Sequence, residues 1–319
     1  MRSRLRSYKL LLSQNASSCR PSAPPPTWVD RIEASVNGNG KIVVPHPAAE
    51  ANKYSRGKLV LVAGSARYPG AAALAARAGQ RMGAGYVEVI TAKRALGVVR
   101  ASSPSLVVRP FADWNVNELP PASSARPCAV CVGPGFVPDA KKSGALLADV
   151  LKAARCPVLV DGGALAWLGD SRSLALLQRR ANKGFPTVIT PHGGEAARLS
   201  KPLRLGDQKP GKLAAGLALA LRCLVVLKGP DTFVSDGVRT EAMTLGDASL
   251  AKAGTGDVLA GMISALLAQG VPPFDAAFSG ASLHALAGRA AAEKLTDIAV
   301  CPEDVIDFIP DALRAAQSE

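Results

Sequence analysis

The sequence predicts an α/β fold with a mainly parallel sheet covered by helices, and three observations carry that prediction. Short apolar runs alternate with alanine-rich stretches of helical length from Lys58 onward. Turn residues, mostly glycine, close one run after another. The composition is 48% hydrophobic but only 4% aromatic, which suits small-residue helices packed closely on a sheet.

The first unit is the clearest. Leu59–Ala63 reads as a strand, Gly64–Gly70 as a loop and Ala71–Met82 as a helix, and Gly83-Ala84-Gly85 leads into a second strand, Tyr86–Thr91. Two strands joined by a helix imply parallel pairing. The glycines do not match G-x-G-x-x-G, so a dinucleotide fingerprint is not supported. Residues 101–127 read as irregular, and Cys128–Val132 as the next strand, emptying into Gly133-Pro134-Gly135-Phe136. Then come a helix over 140–154, a strand over 157–160 ending in Asp161-Gly162-Gly163, and a helix over 174–181. A strand over 187–190 ends in Pro191-His192-Gly193-Gly194-Glu195. Pro210–Leu221 is a helix with proline in its first turn, where a missing N–H costs nothing. Leu224–Lys228 is a strand, followed by Gly229-Pro230-Asp231-Thr232 and a hairpin that turns at Asp236-Gly237. Long helices are expected over 274–295 and 305–316. Without linker or repeat, one domain from about residue 52 to 319 is expected.

The stretch Ala253-Gly254-Thr255-Gly256-Asp257 opens an uncharged, proline-free apolar run to Gln269. A glycine turn entering a buried helix presents unpaired N–H groups to an anion such as a phosphate. Asp257 would repel phosphate, but it fits if it takes a proton from a hydroxyl as a phosphoryl group arrives. The plainer alternative is a capping aspartate. The strand-end residues have two readings as well. Glycine turns at carboxyl ends of parallel strands are where ligands sit in open α/β sheets, or they are simple connections. His192, one of three histidines, is structural or functional, and Lys228 is a phosphate contact or a solvated lysine.

The net charge is +13, and residues 1–57 hold nine Lys/Arg against three Asp/Glu. Such a balance suits a solvated basic surface or attraction of small polyanions. No dense basic face interleaved with aromatics appears, so nucleic acid is not expected as a partner. Residues 1–51 read as a basic, Pro- and Ser-containing tail and lead-in with little structure, an organelle transit peptide being the alternative. Of six cysteines, only Cys128 and Cys131 form a CxxC, and on a strand they face opposite ways, which argues against a metal or redox pair. No uncharged apolar run reaches the roughly 18 residues of a membrane helix. A membrane is therefore not an expected partner, and a cytoplasmic setting is.

Taken in order, these motifs resemble the NAD(P)H-hydrate dehydratases, a carbohydrate-kinase-like family similar in fold to ribokinase. The resemblance runs from about Asn52 to Arg314. It rests on Tyr68-Pro69-Gly70-Ala71, Gly133-Pro134-Gly135, Asp161-Gly162-Gly163-Ala164-Leu165, Pro191-His192-Gly193-Gly194-Glu195, Lys228-Gly229 with Thr232, and Gly254-Thr255-Gly256-Asp257. It implies a ribokinase-like three-layer α/β/α fold. It also implies repair of hydrated NADH and NADPH (NADHX, NADPHX) with ADP or ATP, the ring hydroxyl being phosphorylated and lost as phosphate. On this resemblance Ala71, Gly135, His192 and Asp257 contact the hydrated dinucleotide. Lys228, Gly229, Pro230, Asp231, Thr232 and Gly256 hold the adenine nucleotide. Asp257 is the catalytic base, and the N–H groups of Thr255, Gly256 and Asp257 form the anion hole. Mg²⁺ is expected on the nucleotide phosphates, with ligands the sequence does not name. A homo-oligomer (tetramer or octamer) and a separate NAD(P)HX epimerase are further expectations. A sugar or vitamin kinase sharing the glycine turn is the alternative. The chain departs from the family pattern at Gly162-Gly163 and Ala166, where many members have Ala-Asp and Asn. It also departs at Gly193, where they have proline, and at Asp247-Ala248, where they have Asn-Pro.

Overall fold

The computed structural model describes residues 41–317, so most of the basic tail lies outside the described residues. Residues 41–57 contain turns but no helix or strand. Ile42, Val43 and Val44 nonetheless pack on the core, and the Val43 N–H donates to Ser279 Oγ at 2.8 Å.

The chain then alternates as its hydrophobic pattern dictates. β1 (Lys58–Val62), α1 (Pro69–Arg81) and β2 (Tyr86–Thr91) form the first βαβ unit. α2 (Leu96–Ser102) leads to β3 (Val107–Pro110), which lies inside the segment expected to be irregular. β3 escapes the pattern because it is an edge strand with no fully buried residue. It is held in part by Arg109, which reaches Glu88 at 3.3 Å and Glu118 at 2.7 Å. β4 (Cys128–Val132), α3 (Lys141–Ala153), β5 (Val158–Val160), α4 (Ser171–Asn182) and β6 (Thr187–Ile189) follow. α5 (Gly193–Leu203), α6 (Pro210–Leu221) and β7 (Leu224–Leu227) come next, then β8 (Thr232–Ser235) and β9 (Thr240–Met243) as a hairpin. α7 (Thr255–Ala268), α8 (Pro273–Leu295), α9 (Pro302–Asp307) and α10 (Ile309–Gln317) close the chain, so the single terminal helix expected over 305–316 is two.

The strands form one nine-stranded sheet in the order β3-β2-β1-β4-β5-β6-β7-β8-β9. Pairing is parallel from β3 through β7 and antiparallel for β7–β8 and β8–β9. Alternation along each strand builds two cores. Leu59, Leu61, Ala129 and Cys131 face one layer, with α1, α2 and α7–α10. Val60, Val62, Cys128 and Val130 face the other, with α3–α6. Cys128 and Cys131 thus lie on opposite faces, as the strand period requires. Each fully buried leucine of this kind stabilises the fold by ~1.5–3 kcal/mol. α7 is apolar on all sides and accordingly sits deep in its layer. Its Gly261 lies so close to α1 that a Cβ there would fall 2.2 Å from the Ala75 carbonyl oxygen.

Candidate active site

β1 and β4 are adjacent and parallel although β2 and β3 intervene in sequence, so the order in which strands are added to the sheet reverses between them. Such a switch point leaves a crevice at the strands' carboxyl ends. The Gly64 N–H donates to the Pro134 carbonyl at 2.8 Å across it. A Cβ on Gly135 would lie 2.7 Å from that of Ala71, so these two residues, 64 positions apart in sequence, meet here. Gly133 holds the turn at φ 115°, and any side chain there would strike the Asp161 carbonyl oxygen at 2.0 Å.

The neighbouring strand ends carry charge. Asp161 follows β5, is 3% exposed, and accepts from Thr190 Oγ1 at 2.6 Å and from Lys228 Nζ at 2.9 Å. Beyond β6 and β7 a further parallel bridge pairs His192 with Lys228, and the Lys228 N–H donates to the Pro191 carbonyl at 2.8 Å. The Lys228 ammonium then hangs over the start of α7, 3.4 Å from where a Cβ on Gly256 would stand. Burial works against its charge, but Asp161, Glu195 and Asp257 outweigh that and raise its pKa. Asp257, in the first turn of α7, moves in the opposite sense to an ordinary salt-bridged acid. Burial and the charge of Asp161 push its carboxyl up to about 7, and Lys228 only partly restrains the rise. A carboxylate with that value is poised to take up a proton near neutral pH.

His192 caps α5 rather than standing in a free turn. Its Nδ1 accepts from the Gly194 N–H at 3.1 Å, while Glu195 Oε2 accepts from the His192 N–H at 2.8 Å. The ring remains exposed, with Nε2 3.5 Å from Glu195. Burial raises the Glu195 carboxyl as well, against the pull of Lys228. At α7 the capping residue is Gly254, at φ 101°, with no side-chain cap. The Thr255 N–H turns back to the Lys252 carbonyl at 3.4 Å. The N–H groups of Gly256 and Asp257 have no backbone partner among the described residues, so they are the open donors of the expected three.

Beside this cluster lies a cavity of about 560 Å³. Lys228, Gly229, Pro230, Thr232 and Gly256 line it, and so does His192, while Asp231 is exposed and outside the lining. Met243, Thr255, Leu259, Ala281, His284 and most of the 246–251 loop complete the walls. Asp161, Thr190, Glu195 and His284 were given no role from the sequence. For Asp161 the available signal was an acid at the carboxyl end of a strand. For His284, inside a uniform alanine-rich helix, there was none.

An apolar-walled cavity, a lysine and the open N–H groups of a helix start, at the carboxyl edge of an open α/β sheet, have the chemistry that suits a phosphorylated ligand. Comparison with known proteins makes this specific. The family model for NAD(P)H-hydrate dehydratase matches residues 59–311, and the chain belongs to that family. An ADP-dependent (S)-NAD(P)H-hydrate dehydratase from Xanthomonas campestris is 32% identical, over 84% of this chain and 92% of the relative. A bifunctional NAD(P)H-hydrate repair enzyme from Thermofilum pendens is 30% identical over 92% of this chain, which spans 57% of that longer protein. The Bacillus subtilis ADP/ATP-dependent NAD(P)H-hydrate dehydratase, co-crystallised with ATP and Mg²⁺, superposes with a TM-score of 0.72 at 25% identity, covering 88% of this chain and 99% of that one. The fold is therefore the ribokinase-like α/β/α architecture expected, with its sheet extended by an antiparallel hairpin.

Proposed function

We propose that the protein returns hydrated NADH and NADPH to NAD(P)H at the expense of ADP or ATP, with Asp257 as the catalytic base. The observation that carries this is the placement of the Asp257 carboxyl, held near neutral pKa at the helix start where Lys228 and two open N–H groups converge.

The chemistry follows from leaving-group ability. Hydroxide leaves a carbon poorly at neutral pH, and phosphate leaves well. Asp257 takes the proton of the ring hydroxyl as its oxygen attacks the terminal phosphoryl group. The oxygen–phosphorus bond forms, the bond to the nucleoside phosphate breaks, and charge grows on the transferring oxygens. Lys228 and the N–H groups of Gly256 and Asp257, with Thr255 shaping the turn, stabilise that charge. The carbon–oxygen bond then breaks with loss of phosphate, and a ring proton leaves the adjacent carbon to restore the double bond.

Ala71, Gly135 and His192 would border the hydrated dinucleotide. Gly229, Pro230 and Thr232 would wall the nucleotide, with Asp231 at its solvent edge. Mg²⁺ fits this donor set only as a companion of the phosphates. Among the described residues no group of three or more His, Cys, Asp or Glu side chains is placed to hold a metal. When bound, the ion neutralises phosphate charge. No helix among the described residues is long and apolar enough to cross a membrane. A cytoplasmic setting, a homo-oligomer and a separate epimerase supplying the reactive epimer complete the proposal.

The test is hydrated NADH with ADP or ATP. Recovery of the reduced-nicotinamide absorbance together with phosphate release is expected. Accumulation of a stable phosphorylated product would instead favour a kinase of the same fold.

A further inference from the structure

Another cavity at the carboxyl edge lies outside the cluster around Asp257. It measures about 450 Å³, stands beyond the ends of β2 and β3, and is lined by Lys93, Arg100 and Lys142 together with Leu96, Phe111 and Asp113. All three cations are exposed, and none of them pairs with a carboxylate among the described residues. Lys142, in the first turn of α3, reaches the cavity from the β4 side, and its Nζ stands 5.2 Å from the centre of the Phe111 ring. Phe111 in turn packs edge-on to Phe136, with ring centroids 6.1 Å apart, and Phe136 directly follows Gly135. The cavity therefore adjoins the β1–β4 crevice where Ala71 and Gly135 meet, on the side away from Lys228 and the nucleotide cavity.

We propose that this cavity is the subsite for the 2′-phosphate of hydrated NADPH, so that Lys93, Arg100 and Lys142 set a preference for NADPHX over NADHX, an inference that rests on the hydrated dinucleotide being the substrate. With the nicotinamide ring at Asp257 and ADP or ATP on the β7 side, the rest of the dinucleotide runs the opposite way along the strand ends, past Gly135 and towards β2 and β3. From β1 to β3 is two strand spacings, about 10 Å, a distance that a pyrophosphate joining two riboses spans. NADPHX differs from NADHX by one phosphate on the adenosine ribose, which carries close to two negative charges at neutral pH. Three cations against the one carboxylate of Asp113 leave the lining with an excess of two positive charges to meet it. Exposed ammonium and guanidinium groups without ion-pair partners keep their donors for such an anion, and an arginine is the usual means of accommodating this phosphate at the carboxyl edge of an α/β sheet.

The test compares NADPHX with NADHX as substrates at saturating ADP, and NADPH with NADH as ligands by fluorescence titration, also at saturating ADP so that the nucleotide cavity is filled. Wild type should favour the 2′-phosphorylated member of each pair by about tenfold, in KM and in Kd, with about twofold from each exposed cation. Lys93→Gln, Arg100→Gln and Lys142→Gln should each lower the preference about twofold, and the triple variant should treat the two members of each pair alike. Arg100→Lys, which keeps the charge, should retain most of the preference. Equal handling of the two dinucleotides by wild type overturns the proposal and leaves the dehydratase reading standing. Variants that weaken both dinucleotides by the same factor also overturn it, since the cations would then meet the pyrophosphate both share. Turnover of neither substrate, with NADPH still bound more tightly than NADH, overturns the dehydratase reading and leaves the subsite. Failure to bind either dinucleotide overturns both.

Discussion

Two cations, one buried and one half-buried, sit at opposite ends of the same sheet and have opposite surroundings. Arg180, at the amino ends of β5 and β6, is 3% exposed. It donates to the carbonyls of Ala154 at 2.7 Å, Cys156 at 2.8 Å and Pro186 at 3.2 Å, and to Thr187 Oγ1 at 3.0 Å. Its contacts are local loop carbonyls, and burial lowers its pKa to about 10. Lys228, at the carboxyl ends, has its one side-chain bond to Asp161 and the carboxylates of Glu195 and Asp257 nearby, and its pKa rises. A cavity of about 370 Å³ adjoins Arg180 and one of about 560 Å³ adjoins Lys228, so concavity alone does not separate the two. The partners do. Arg180 makes four bonds that tie loops together, whereas Lys228 bonds one carboxylate and lies near two more at the edge of the larger cavity.

The largest way to sharpen this contrast is to remove the acid proposed as the base at the lysine's end. Asp257→Asn should lower turnover of hydrated NADH by about a hundredfold to ten-thousandfold, measured by recovered absorbance, with nucleotide affinity retained. The same variant probes linkage. Burial raises the Asp257 carboxyl in the folded protein to about 7 from an ordinary 3.8, so ionising it opposes folding. Native stability from this group is complete below about pH 4 and is lost as pH rises through 7. Asp257→Asn should therefore unfold at a higher temperature than wild type at pH 8, and the gain should vanish near pH 4.

At the other end, Arg180→Leu leaves the Ala154 and Cys156 carbonyls and the Thr187 hydroxyl without this donor, while the Pro186 carbonyl keeps the Val158 N–H at 3.1 Å. A loss of about 3 kcal/mol, seen as a melting temperature roughly 6–12 °C lower, is expected, with kcat of the folded enzyme unchanged. A comparable loss of kcat would mean that the two ends are coupled.

Lys228→Met should raise the nucleotide KM by about tenfold to a hundredfold, since a charge-assisted contact is removed. It should also move the acidic limb of kcat/KM. Wild-type activity should climb with pH through about 7 as Asp257 ionises. Without the ammonium that lowers the carboxyl, the limb should shift to higher pH. A fixed limb would take Asp257 out of the role of base.

The smallest effect is expected at Gly193. It is the first residue of α5, a Cβ there meets nothing within 4 Å, and His192 before it is extended at ψ 170°. These are the conditions proline needs. Gly193→Pro should stabilise by ~0.4–1 kcal/mol in denaturant titration, with activity retained. The departure from the family pattern at this position thus costs rigidity rather than chemistry.

Much of the layout was legible in the residues. The alternating apolar runs fixed which segments became strands, because a strand buried on both faces has no polar position to hide. α5 was missed because Gly193 and Gly194 open it and Pro202 lies within it, each of which reads as a break. The break between α9 and α10 at Phe308 was missed because its helical periodicity continues through the junction. Gly163 also looks different in three dimensions. A Cβ there would fall 2.2 Å from the Phe136 carbonyl oxygen, so the missing acid goes with a GPG turn packed tightly on the turn that follows β5.

The sequence by itself determined the parallel α/β plan, the glycine turns at the strand ends and the acid at the start of α7, since periodicity and turn chemistry are local properties of the chain. Only the tertiary structure decided that Asp161 and Lys228, 67 residues apart, share a hydrogen bond, and that their charges bear on Asp257. The reason is physical. A pKa is set by burial and by charges within a few ångströms, and which strand ends become neighbours depends on the sheet order, which no local pattern encodes.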